Sequence, residues 1–179
     1  MSDMPAGTPA ESVVKKSLLV ECSREHAFQI FTEHMGRWWP ATHHVGDTPF
    51  RDVIVEPRTG GRWYEIDVQE RQGAWGHVLA WEPPHRVVLS WHLNTKFAFD
   101  PDLGRASEIH VRFVAEAPTK TRLEFEHRGL ERHGEGYQAL RDMLDNGWVT
   151  VLAEFVKAAE TRTGILAVAE QATVERRAP

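Results

Sequence analysis

Apolar positions recur at helical spacing along the last third of the chain: Tyr137, Leu140, Leu144, Gly147/Trp148, Val151, Phe155 and Ala159. Steps of three or four residues place these side chains on one face of a helix. Arg141, Asp142, Asp145, Glu154 and Lys157 fall on the opposite face, and Met143, Leu152 and Val156 add a second apolar row. Gly134 and Gly136 precede the run as breakers and no proline interrupts it, so one long helix is predicted over Gly136–Arg162. About 25 helical residues span about 38 Å. Gly147 in its middle costs about 1 kcal/mol relative to alanine, and close backbone packing beside Trp148 is the expected compensation.

The preceding residues supply a surface for this helix. Val14, Leu18 and Val20 alternate with Lys15, Ser17 and Glu21 in a first strand over Ser12–Glu21. Ser23 then reads as the N-cap of a helix whose apolar face is Ala27, Phe28, Ile30 and Phe31, ended by Gly36. From Asp52 the pattern turns to strands separated by turn residues: Val53–Glu56, Arg62–Gln69, Trp75–Trp81, Arg86–Asn94, Ser107–Glu116 and Thr121–His127. Short connections make these an antiparallel meander. Ile109, Val111, Phe113, Leu123 and Phe125 mark the inner face, joined by Leu89, Trp91 and Leu93. Alternation leaves the inner face of Arg62–Gln69 and Trp75–Trp81 open. The fold class is α+β, a curved sheet wrapped on the terminal helix.

Composition narrows the function classes. The 179 residues suit one domain over 12–163, with a disordered tail over 1–11 and a fraying tail over 164–179. A net charge of −5 without a long basic run argues against nucleic acid and anionic membranes as partners. No stretch reaches the length of a membrane span, and the N-terminus lacks a signal-peptide pattern, so a cytoplasmic setting is expected. Cys22 is the one cysteine, which excludes an internal disulfide and a thiolate cluster. It precedes a helix N-terminus but reads as a small packed residue. The ten histidines show no metal-binding spacing, and no metal or cofactor is expected. Asp100 and Asp102 flank Pro101 in a turn, and Arg58-Thr59-Gly60-Gly61-Arg62 reads as a hairpin turn, not a phosphate cradle.

Several segments in order carry a family resemblance. They are Arg24-Glu25-His26-Ala27-Phe28-Gln29-Ile30-Phe31-Thr32, Trp38-Trp39-Pro40, Glu56-Pro57-Arg58-Thr59-Gly60-Gly61-Arg62-Trp63, the run from Gly76 to Trp91, and Gly147-Trp148. Together, over roughly residues 13–160, the chain resembles the START-like (SRPBCC) superfamily. Within it the chain is similar to the family of homologues of the activator of the heat-shock-protein-90 ATPase. The resemblance implies a helix-grip fold, with seven antiparallel strands around a long C-terminal helix and a cavity between them. Relatives include binders of small apolar molecules, cyclases and chaperone partners, so it implies architecture better than activity. The chain resembles the bacterial-type single-domain members, and chaperone activation is not carried over.

Aromatic residues are the first candidates for that cavity: Phe28, Phe31, Trp38, Trp39, Trp63, Trp91, Phe113, Trp148 and Phe155, with Leu152 on the helix. They would offer flat walls and a few indole N–H donors to an apolar ligand; the alternative is a filled core. Trp63, Glu65 and Asp67 share a face, as do Trp75, His77, Leu79 and Trp81. If the first set faces in, Glu65 and Asp67 are buried acids; the solvated arrangement is the more ordinary one for carboxylates. Ser90 and His92 lie opposite Trp91. The strand histidines His77, His92, His110 and His127 and the adjacent pair His43-His44 read as surface or singly bonded groups.

The leading expectation is a non-enzymatic or weakly catalytic protein that binds a small apolar molecule between sheet and helix. A cyclase- or hydrolase-like enzyme using Glu65 or His92 as base in the same cavity is the first alternative. The second is a protein-interaction module, which predicts a filled core and an exposed apolar patch. A homodimer contact is an alternative use of Trp38 and Trp39.

Overall fold

The computed structural model describes residues 12–175, with side chains described to residue 161; the predicted tail over 1–11 and residues 176–179 lie outside. Seven strands form one antiparallel sheet in the order β1-β7-β6-β5-β4-β3-β2. They are β1 (Val14–Val20), β2 (Phe50–Val55), β3 (Arg62–Asp67), β4 (Gln72–Glu82), β5 (Arg86–Trp91), β6 (Ser107–Ala117) and β7 (Lys120–Arg128). Helix α1 (Arg24–Thr32) connects β1 to β2, and α2 (Tyr137–Glu175) follows β7. This is the predicted α+β helix-grip architecture.

Local chemistry sets the boundaries. Ser23 Oγ caps α1 by accepting from His26 N at 3.3 Å. The helix ends at Thr32, earlier than predicted, and a 3-10 turn over Met35–Arg37 leads into Trp38 and Trp39. Helix α2 runs on to Glu175, beyond Arg162 where the apolar stripe ends. Its inward residues Leu140, Leu144, Trp148, Val151, Leu152, Phe155 and Ala159 are buried, whereas Met143 and Val149 are exposed. The second apolar row is therefore only partly covered. Lys16 on β1 reaches Asp145 at 2.7 Å and ties the sheet edge to this helix.

Bulges explain why alternation failed on β3 and β4. Trp63 pairs with Gly76 and Tyr64 with Ala74, so Trp75 is an extra residue on β4. Val78 pairs with Leu89 and Ala80 with Val88, which makes Leu79 a second extra residue. A bulge re-aims side chains by breaking the two-residue period. Trp75 thus turns inward and is buried, while His77, expected on the same face, is exposed. Gly76 permits the close approach to β5: a Cβ there would lie 1.8 Å from the Ser90 carbonyl oxygen.

The filled part of the core surrounds α1. Phe28 meets Phe113 at 5.3 Å, Phe31 meets Trp38 at 5.3 Å, and Phe155 of α2 packs on Phe31 at 5.2 Å and on Trp38 at 5.4 Å. All but the tilted Phe31–Trp38 pair are edge-to-face, and such pairs add about 0.5–1.5 kcal/mol each beyond burial. Cys22 is buried at the end of β1. No helix among the described residues is long and apolar enough to cross a membrane.

Candidate functional site

At the other end of the sheet the packing opens into a cavity of about 420 Å³, within the range of small-molecule sites. Four indoles form its walls: Trp39 after the 3-10 turn, Trp75 on β4, Trp91 on β5 and Trp148 on α2. Trp39 lies 4.9 Å from Trp75 and 5.8 Å from Trp148, and Trp91 lies 6.1 Å from Trp148. Met143, Leu144, Gly147 and Val151 of α2 form one side, and Leu93 and Phe97 part of the rim. A Cβ at Gly147 would meet nothing within 4 Å. The expected close packing at this glycine is therefore absent; the missing side chain enlarges the cavity.

Of the residues predicted to line a cavity, Trp39, Trp91 and Trp148 do so. Phe28, Phe31, Trp38, Phe113 and Phe155 pack on one another around α1 instead, because the N-terminal helix fills that end of the grip, and Leu152 is buried outside the cavity lining. Trp63 sits behind the wall, 5.2 Å from Trp75 and 5.7 Å from Trp91. Sequence reasoning missed Trp75, whose bulge hid its direction, and the segment Thr42, His43, His44 and Val45, which looked like an ordinary polar loop.

Every wall indole spends its N–H on the protein. Trp39 donates to the His43 carbonyl at 2.8 Å, Trp75 to Glu65 at 3.1 Å, Trp91 to the Leu93 carbonyl at 3.0 Å and Trp148 to His127 Nδ1 at 3.2 Å. The expected indole donors are thus unavailable to a ligand, and the walls offer ring faces and edges.

Glu65 and Asp67 are both buried, so the more ordinary solvated arrangement does not hold: the face of Trp63 is the inner one. Glu65 accepts from Val45 N, Gly46 N and Trp75 Nε1, all within 3.2 Å. These bonds pin the 42–46 segment to the sheet and occupy the acid proposed as a base. Asp67 accepts from Arg71 N, Thr48 Oγ1, Arg71 Nε and Gln69 N. Burial alone would raise its pKa, but these bonds together hold it well below the usual carboxylate range. His92 is buried on the far side of Trp91, with Nδ1 donating to the Asp100 carbonyl at 2.7 Å and its ring stacked on Phe99 at 5.2 Å. It does not line the cavity.

Behind Trp148 runs a hydrogen-bonded chain that sequence reading did not anticipate. An indole nitrogen can only donate, so His127 Nδ1 accepts and Nε2 carries the proton. That proton goes to Ser107 Oγ at 2.7 Å, and Ser107 in turn donates to His133 Nε2 at 2.8 Å. Burial, with a smaller contribution from the nearby His133, pushes His127 down to about 3. His133 is also lowered, by burial first and by His92, against the opposing pull of Asp100 and Glu131. His127 is thus a buried, neutral, doubly bonded histidine, not a surface or singly bonded one. No group of three metal-ligating side chains converges among the described residues.

Curled sheet, gripping helix and internal cavity define a START-like (SRPBCC) protein. The chain belongs to the family described as activator of Hsp90 ATPase homolog 1-like protein, matched over residues 21–160. Among solved structures it is similar to an anthrahydroquino-γ-pyrone synthase, Txn09, at 37% identity and a TM-score of 0.59, covering 86% of this chain and 99% of that one. It is also similar to CalC, a self-sacrificing resistance protein from Micromonospora echinospora, at 33% identity and a TM-score of 0.63, covering 85% and 96%. The Aha1 dimer from Colwellia psychrerythraea shares the fold at 14% identity and a TM-score of 0.58, covering 83% and 96%. No curated protein sequence matches significantly.

Proposed function

We propose that this protein binds a flat, largely aromatic small molecule between the sheet and α2, in a cytoplasmic setting. The observation that carries the reading is the four-indole cavity of about 420 Å³, whose indole N–H groups are all engaged within the protein. Such walls favour stacking and edge contacts over hydrogen bonding. Likeness to Txn09, named as an anthrahydroquino-γ-pyrone synthase, supports the same ligand class. A cyclase-like reaction in this cavity is a second reading, supported by the 37% identity to Txn09. Glu65 and His92 lose their support as its base, since one is saturated and the other lies outside the cavity. The interaction-module reading predicted a filled core, and the cavity counts against it. Trp38 and Trp39 are 4% and 7% exposed, which removes them as a homodimer contact.

The test is native mass spectrometry of the purified chain, with extraction of retained small molecules, beside Gly147→Leu. Leucine adds apolar volume where the cavity is open while improving helix propensity. The expected result is a defined added mass on the parent chain that is absent from the variant. A bare mass, with no polycyclic aromatic compound quenching tryptophan fluorescence in a follow-up panel, overturns the reading.

A further inference from the structure

A cavity walled by ring faces needs some polar group to orient its ligand. Apart from the four indoles, three side chains with polar atoms line it: Thr42, His43 and His44. Thr42 Oγ1 and His43 Nδ1 bond each other at 3.0 Å, and both residues are exposed to solvent. His44 is different. It is half-buried, and its Nδ1 lies 2.8 Å from the Gly46 carbonyl oxygen. A carbonyl only accepts, so Nδ1 carries the proton and neutral His44 has an open lone pair on Nε2. Its backbone is held too, because Glu65 accepts from the two following amides, Val45 N and Gly46 N. A buried acid thus fixes the segment, the segment fixes the tautomer, and the tautomer leaves an acceptor on a half-buried side chain of the cavity lining.

We propose that His44 Nε2 accepts a hydrogen bond from an acidic hydroxyl on the ligand, which makes the preferred ligand class flat aromatics bearing a phenol, hydroquinone or enol O–H. This rests on the cavity reading above and adds its polar specificity. An aromatic hydroxyl is a stronger donor than an alcohol and lies in the ring plane, so a molecule stacked between indoles presents it at the cavity's edge. A ligand offering only carbonyls would place acceptor against acceptor and gain nothing from His44.

The experiment compares alizarin, a hydroxylated anthraquinone, with unsubstituted anthraquinone by quenching of tryptophan fluorescence. It uses the full chain, His44→Asn and His44→Ala. Asparagine keeps a donor near the position of Nδ1 and removes Nε2; alanine removes both. The parent chain is expected to bind alizarin roughly three- to tenfold more tightly than anthraquinone, the worth of one net hydrogen bond. Both variants should bind the two compounds alike, so that the alizarin-to-anthraquinone affinity ratio falls to about one whatever overall affinity the loss of the imidazole costs. The visible absorbance of bound alizarin should also differ between parent and variants. Equal binding of both compounds by the parent, or a hydroxyl preference that survives in both variants, overturns the role of His44 and leaves the cavity standing. Failure of the parent to bind either compound defeats the cavity reading for this ligand class, and the inference with it.

Discussion

At the scale of single residues, the cavity's properties follow from where protons sit. Trp148 donates to His127, which forces the His127 proton onto Nε2 and the Ser107 proton toward His133. Protonating His127 would set N–H against N–H at Trp148, and burial already opposes the charge. Its pKa is about 3 when folded, against an ordinary histidine value of 6.5 when unfolded. Between these values the unfolded chain binds a proton that the folded chain refuses. Stability is therefore full above about pH 6.5 and falls as pH drops toward 3, by at most about 1.4 kcal/mol per pH unit from this one group. Lowered carboxylates such as Asp67 and Glu108 add losses only below about pH 4.5, near their unfolded values. Urea unfolding at pH 7 and pH 5 should show a marked loss in the parent chain. His127→Gln, although less stable at both, should show a distinctly smaller one. A slope unchanged by the substitution would mean that His127 is not the group responsible. His133 acts in the same direction, so some slope should remain.

At the scale of elements, α2 both seals the core and shapes the site. Its stripe of Leu140, Leu144, Trp148, Val151, Phe155 and Ala159 was legible from spacing alone, and all six are buried. Burying each large apolar side chain contributes about 1.5–3 kcal/mol. Gly147 was legible as an anomaly, but its cause was not, since an interior glycine can mark crowding or space and both look alike in sequence. The structure shows space. Gly147→Ala should therefore stabilise the chain by up to about 1 kcal/mol, because it gains helix propensity without a clash. Thermal unfolding of the ligand-free variant checks this, and a lowered midpoint would contradict the open geometry. The strands were read less completely. β6 and β7 kept strict alternation through their central residues, so Ile109, Val111, Phe113, Leu123 and Phe125 were assigned correctly. β4 broke alternation at Trp75 and Leu79, and the inward indole at the first bulge went unseen.

At the scale of the whole molecule, one core is closed at one end and open at the other. Around α1 the aromatics of the grip interlock and leave no room. Beyond Trp39 and Trp148 they stand apart and leave about 420 Å³. A ligand bound only by the folded state stabilises it by mass action, about 2.7 kcal/mol at a hundred times its Kd. For a chain of this size that corresponds to a rise in Tm of roughly 5–10 °C. Alizarin should produce this shift in the parent chain and little in Gly147→Leu, read by thermal unfolding at matched protein concentration. Equal shifts in both chains would place the compound somewhere other than this cavity.

The sequence by itself determined the α+β class with a curved sheet on the terminal helix, the order of strands along the chain and the stripe on α2. These depend on periods of two and 3.6 residues and on turn chemistry, which are local properties. It also carried the ordered segments by which the family resemblance was recognised. Tertiary structure alone decided which aromatics fill space and which bound it. Phe31 and Trp91 are both aromatic and both buried, yet one projects from α1 into packed core and the other walls the cavity. It also decided the fate of the polar groups. Glu65 became an anchor and His127 a neutral acceptor through partners 10 to 21 residues away, and His44 gained its fixed tautomer from a segment held by Glu65. Hydrogen bonding and burial between residues distant in sequence set those roles, and neither leaves a mark on the local pattern of the chain.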